Sequence, residues 1–148
     1  TYYVFPSPQD FIAVNPQDLL KIQLSKSKAN YIIEVAKAFL EGRISKKIVA
    51  GLPSFELKQQ LLMSVKGIGL WTANYVLMKC LRVHNSIPYG DAGLLNALVK
   101  FHIIEDKKDL VGTKQFFRQF KDWESYIVFY LWHSLSKDAK INSAHHEK

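Results

Sequence analysis

The stretch Met63 to Tyr75 reads MSVKGIGLWTANY. A run with helical spacing stops at two glycines around one isoleucine and restarts at once with leucine and tryptophan. Between two helices, Gly67-Ile68-Gly69 lets the main chain take positive φ values and brings successive N–H groups together at the start of the second helix. Such a turn suits an anion: with no side chain at either glycine a phosphate can approach closely, and the following helix dipole favours its charge. Lys66 adds a cation, and Ile68 is expected to point inward and pin the hairpin. The same residues would also serve a helix–helix turn with no ligand, so the rest of the chain has to decide.

Outward from the hairpin the chain reads as helices. SPQD at Ser7–Asp10 and NPQD at Asn15–Asp18 each offer a capping residue, a proline at the first helical position and an acid in the first turn. From Ser27 the residues Tyr31, Ile32, Val35, Ala36, Phe39 and Leu40 recur at helical spacing, with Gly42 as a stop. Gly42 to Pro53 reads as a basic connector, and Ser54 as the cap of a helix from Phe55 to about Val65. The pattern resumes from Leu70 to about Arg82. NSIPYGD, Asn85 to Asp91, is a loop of turn formers leading into LLNALVKF. Further helices are expected over Thr113–Phe120 and from Asp122 to about Lys137, with a polar, frayed tail from Ser136. Strand-period alternation is weak throughout, so the fold class is all-α.

The chain has 148 residues, 48% of them hydrophobic, which suits one compact domain with a real core. Twenty Lys and Arg against thirteen Asp and Glu give a net charge of +7, a balance that favours a polyanionic partner. The single Cys80 excludes an internal disulfide and any four-cysteine zinc or iron–sulfur site; in an apolar helical run it reads as a buried thiol. With no run of 18 apolar residues and no secretory signal pattern, a soluble intracellular protein without membrane attachment is expected. The first residue is Thr, which hints at a processed or truncated product.

The stretch KGIGLWTANYVLMKC, with IPYGD placed so that Asp91 lies 24 residues after Gly67, resembles the helix-hairpin-helix DNA glycosylase superfamily, HhH-GPD. Within it the chain is most similar to the 3-methyladenine DNA glycosylase II family, through GIGLWTANY, WESYIVFYLW near the end and FPSPQDFIAVNPQDLL near the start. The resemblance runs from about Tyr3 to Leu135. It implies a multi-helix orthogonal bundle over residues 1–138, a polar tail over 139–148, and a fold incomplete at its N-terminus. Complete family members carry upstream helices, so this chain is expected to be a C-terminal portion of a larger enzyme.

By resemblance, the main-chain N–H groups of Gly67 and Gly69, with Lys66, hold a DNA phosphate. The carbonyls of Met63, Val65 and Ile68 would hold a monovalent cation, Na+ or K+, and no other cofactor is implied. Asp91 takes the place of the family's catalytic aspartate, whose carboxylate stabilises the oxocarbenium-like sugar left by a departing base or orients the attacking water. The simpler role for Asp91 is the N-cap of the helix that follows, and both can hold. Trp71, Tyr75 and Trp132 occupy base-pocket positions, where aromatic faces attract a cationic alkylated purine more than a normal neutral base. Core packing is the alternative for each of them, and the expectation for Tyr126, Phe129 and Tyr130.

Superfamily members that also cut the strand use a lysine where this chain has Trp71, so no Schiff base with the sugar is expected; Lys79 is placed on a different face of the same helix. Glu124 stands where the family commonly has arginine, which removes one expected basic contact. The implied function is monofunctional excision of alkylated purines such as 3-methyladenine from duplex DNA. It would be carried by a monomer in the cytoplasm or nucleoid of a bacterium or the nucleus of a eukaryote. A non-catalytic helix-hairpin-helix DNA-binding module and a helical protein-interaction domain are the alternatives.

Overall fold

In a computed structural model of the chain, residue 2 and residues 4–145 are described, with side chains through Leu135. Among the described residues every regular element is helical. The chain divides into two compact units, Thr1–Ala73 and Asn74–Lys148, where the sequence reads as one domain.

The first unit holds α1 (Pro8–Ala13), α2 (Pro16–Lys21), α3 (Lys26–Leu40), α4 (Lys46–Gly51) and α5 (Phe55–Met63), and the boundary falls inside α6 (Leu70–Leu81). Side-chain caps set most of the starts. The hydroxyls of Ser7, Ser25, Ser45 and Ser54 and the amide oxygen of Asn15 each accept a first-turn N–H. Two of these correct the sequence reading. Ser25 rather than Ser27 opens α3, and Ser45 turns part of the expected Gly42–Pro53 connector into α4, which buries Val49. Helices α1 and α2 pack on α3, and α4 packs on α5. Ala38, Ile44 and Val65 form a small core with Val35, Leu61 and Ile68 against it, so Ile68 points inward as expected.

The second unit holds the rest of α6, then α7 (Ala92–Lys100), α8 (Leu110–Arg118) and α9 (Glu124–His145). Asp109 caps α8, so that helix starts before the expected Thr113. Helix α9 continues past the end expected near Lys137 and into the segment read as a polar tail, of which residues 146–148 lie outside the described residues. Helix α7 packs on α9. Met78, Leu94, Leu98, Phe117, Val128 and Leu131 are central to the core of this unit.

Three burial expectations fail. Cys80 is exposed, because the buried residues of α6 are Ala73, Asn74, Leu77 and Met78, and Cys80 falls off that stripe. Tyr126 and Tyr130 lie on the outer side of α9, at 42% and 72% exposure, while Val128 and Leu131 fill the core. Phe129 does pack against the core.

Candidate functional site

The hairpin lies in the first unit. Helix α5 ends at Met63, and the chain turns through bonds from Val65 N–H to the Leu62 carbonyl (3.2 Å) and from Ile68 N–H to the Val65 carbonyl (3.0 Å). The Gly69 carbonyl then accepts the Ala73 N–H at 2.9 Å, which starts α6. The two glycines do different things. Gly67 alone has a left-handed backbone, φ +98°, and a Cβ on it would run into the Cβ and ring of Tyr31. Gly69 does not take a positive φ, contrary to the sequence reading, and a Cβ there meets open space. Tight packing therefore explains Gly67, whereas Gly69 leaves the start of α6 approachable and offers no side-chain cap.

Lys66 is exposed beside this turn and lines an open groove of about 370 Å³ with Tyr31, Glu34 and Lys37. The Lys37 ammonium, 3.0 Å from Glu34, holds the Glu34 carboxyl below its usual range, with Lys66 a smaller influence. Trp71 also belongs to the first unit, on the opening turn of α6 and 41% exposed.

Asp91, Tyr75 and Trp132 all lie in the second unit. Asp91 is positioned from two directions. Before it, the Asp91 N–H bonds to the Pro88 carbonyl at 3.0 Å, closing a turn whose third residue, Gly90, has φ +83° as a type II turn demands. After it, Oδ1 of Asp91 accepts the Leu94 N–H at 2.7 Å, so the carboxylate is the N-cap of α7. The same oxygen accepts the indole Nε1–H of Trp132 at 2.8 Å. These are charge-assisted bonds, stronger than neutral ones.

The loop leading to this turn is fixed by buried polar groups. Asn74 Nδ2 donates to the Ile87 carbonyl (2.8 Å), Ser86 Oγ to the Asn74 carbonyl (2.8 Å), and the Ser86 N–H to Ser125 Oγ (3.2 Å). The Ser125 hydroxyl lies 2.7 Å from the Val83 carbonyl and 2.8 Å from that of Ser86, and donates between them.

Around Trp132 the structure gathers an aromatic cluster. Its ring centroid lies 6.0 Å from that of Tyr75 and 5.8 Å from that of Phe129. Lys79, one turn after Tyr75 on α6, sets its ammonium 4.5 Å from the Phe129 centroid and 5.8 Å from that of Trp132. A Cβ on Gly93 would stand 3.1 Å from Asp91 Oδ1 and 3.3 Å from Trp132 Cδ1, so a larger residue would press on both.

The sequence reading did not bring Lys79, Phe129, Gly93 or the Asn74–Ser86–Ser125 network to the site. The i, i+4 spacing of Tyr75 and Lys79, and of Val128 and Trp132, is the signal that could have found part of it. Glu124 introduces a further feature: its Oε2 is buried with no hydrogen-bond partner. Among the described residues no three His, Cys, Asp or Glu side chains gather as a metal site, and no helix is long and apolar enough to cross a membrane.

Fold and site together define a helix-hairpin-helix protein whose capping aspartate is held against an aromatic cluster. The model of the HhH-GPD superfamily base excision DNA repair protein matches residues 1–124, and the chain belongs to that family. It is 34% identical over 134 residues to a DNA-3-methyladenine glycosylase of Bacillus subtilis, covering 90% of this chain and 44% of that one. It is 26% identical over 136 residues to DNA-3-methyladenine glycosylase 2 of Escherichia coli, with the same two shares, 90% and 44%. The chain thus spans under half the length of these curated relatives. In fold it is similar to the 3-methyladenine DNA glycosylase of Schizosaccharomyces pombe solved with abasic DNA, at a TM-score of 0.75 and 23% identity, over 86% of this chain and 62% of that one.

Proposed function

We propose that the chain carries the hairpin and catalytic aspartate of a DNA glycosylase that removes alkylated purines such as 3-methyladenine from duplex DNA. The observation that carries this reading is the doubly anchored carboxylate of Asp91, in reach of the half-buried Trp132 indole and its neighbour Tyr75. Names of the curated relatives support the same substrate class.

In this reading a damaged base turned out of the duplex stacks on the aromatic cluster. The base leaves with the electron pair of the glycosidic bond, and positive charge develops on the sugar. The Asp91 carboxylate stabilises that charge, and water adds to the anomeric carbon with loss of its proton. Trp71 stands where strand-cutting relatives place an amine, which supports a monofunctional reaction. Gly69, the first-turn amides of α6 and Lys66 receive a backbone phosphate, in line with the open approach at Gly69.

The turn also fits a monovalent cation. Met63 closes α5, so its carbonyl lies beyond that helix's own ladder of bonds, and the Val65 and Ile68 carbonyls follow in the turn. Main-chain carbonyls are the donors that Na+ or K+ takes. Met63, Val65 and Ile68 would hold the ion, and its charge would add to the attraction for phosphate.

The test is release of 3-methyladenine from methylated duplex DNA, followed by borohydride treatment. Free base with no trapped protein–DNA adduct is expected. Binding without any release would leave a DNA-binding module, and a trapped adduct would remove the monofunctional part.

A further inference from the structure

We infer that Lys79 is a specificity-determining residue that offsets the attraction of the aromatic site for cationic bases. The inference rests on reading Tyr75 and Trp132 as base-contacting residues. An aromatic cluster beside a carboxylate would by itself favour cations strongly, since ring faces and anion both attract positive charge. Here a cation is already in place. The Lys79 ammonium stands 4.5 Å from the Phe129 ring centre and 5.8 Å from that of Trp132, reached from the same face of α6 that brings Tyr75 to Trp132.

A base stacked on that indole stands within about 10 Å of the ammonium. At that separation from an exposed ammonium, like charges cost about two- to fivefold in affinity. A neutral base meets no such repulsion and keeps its stacking. Charge selection is also dispensable for chemistry, because a cationic base is already a good leaving group. The ammonium therefore narrows the margin by which the aromatic site favours cationic over neutral bases.

The experiment compares binding of 7-methylguanosine, which is cationic, with that of guanosine. Both are followed at the Trp132 indole N–H resonance in wild type, K79M and K79R. Lys79 is exposed, so neither change disturbs the core, and circular dichroism checks this. K79M is expected to raise the ratio of 7-methylguanosine to guanosine affinity at least twofold, with K79R close to wild type. An unchanged ratio in K79M, or no response of Trp132 to either nucleoside in any variant, overturns the inference. Base release from DNA is measured in parallel. A shifted ratio without release would count against the glycosylase reading and leave Lys79 as the charge selector.

Discussion

Trp132 donates its indole N–H to the same Asp91 oxygen that caps α7, at 2.8 Å beside the 2.7 Å bond from Leu94. One carboxylate thus joins the start of α7 to the middle of α9, and any change in the indole is felt at the charge that would face the sugar.

Replacing Trp132 with Phe separates these contributions. A phenyl ring keeps the contact with Tyr75 and Phe129 but cannot donate to Asp91. Loss of a hydrogen bond to a charged group costs about 1.5–3 kcal/mol. The expected result is a fall in base release of about tenfold or more, with undamaged-duplex affinity unchanged and a lower urea midpoint. Single-turnover excision and urea titration measure these. Full activity in Trp132→Phe would show that the indole bond belongs to folding alone.

Asp91 serves as cap and proposed catalyst, and two substitutions divide the roles. Asp91→Asn keeps an oxygen that can accept from both Leu94 and Trp132, so the melting temperature should fall less than in an alanine variant. It removes the charge, and base release should fall by about a hundredfold or more. Asp91→Ala removes the charge, the cap and the acceptor of the Trp132 indole, with about 2–4 kcal/mol of stability lost in addition. Equal melting temperatures for the two variants would contradict the capping role.

The helices and the hairpin were legible because their signals are local. Ser54 before an apolar run, Asp91 before LLNALVKF and Gly67-Ile68-Gly69 between two runs each state a cap or a turn within a few residues. Helix α4 was missed because its six residues carry too little periodicity to stand out from a basic connector, and only the Ser45 cap marks it. The candidate site was legible where it coincides with such a signal, as in the capping position of Asp91 and the turn at Gly69. Lys79, Phe129 and Gly93 escaped because their roles come from long-range packing of α6, α7 and α9, which no short spacing encodes. Tyr126 and Tyr130 show the reverse error: aromatic character suggests burial, but the turn of α9 assigns the core to Val128 and Leu131.

The hairpin glycines should separate in experiment as they do in structure. Gly67→Ala forces a left-handed backbone on a residue with a Cβ and drives that carbon into Tyr31. A stability loss of about 1–3 kcal/mol is expected. Gly69→Ala meets open space, so the fold should survive while a methyl group obstructs the approaching phosphate. Duplex affinity should fall about equally for all sequences. Lys66→Gln should make the salt dependence of binding shallower by roughly one counterion. Unchanged affinity in a folded Gly69→Ala protein would reduce the hairpin to a turn.

Glu124 and Tyr89 give the last prediction, through pH. Burial first, and the Glu124 carboxylate second, push the Tyr89 hydroxyl above its ordinary range. A raised folded value means that stability is full below the unfolded value of about 10 and declines as pH rises through the folded one. Tyr89→Phe removes the titration and should flatten that alkaline decline. Glu124→Gln acts on the other partner. Its Oε2 is buried without a hydrogen bond, and a neutral amide costs less to bury than a carboxylate. The helix dipole at the start of α9 works the other way, by about 0.3–1 kcal/mol. Removing the charge also removes its push on the Tyr89 hydroxyl, so Glu124→Gln should make the alkaline loss shallower. Urea titrations at pH 7 and at alkaline pH on wild type and both variants check the pair. An alkaline loss in Glu124→Gln as steep as in wild type would mean that the carboxylate does not act on Tyr89.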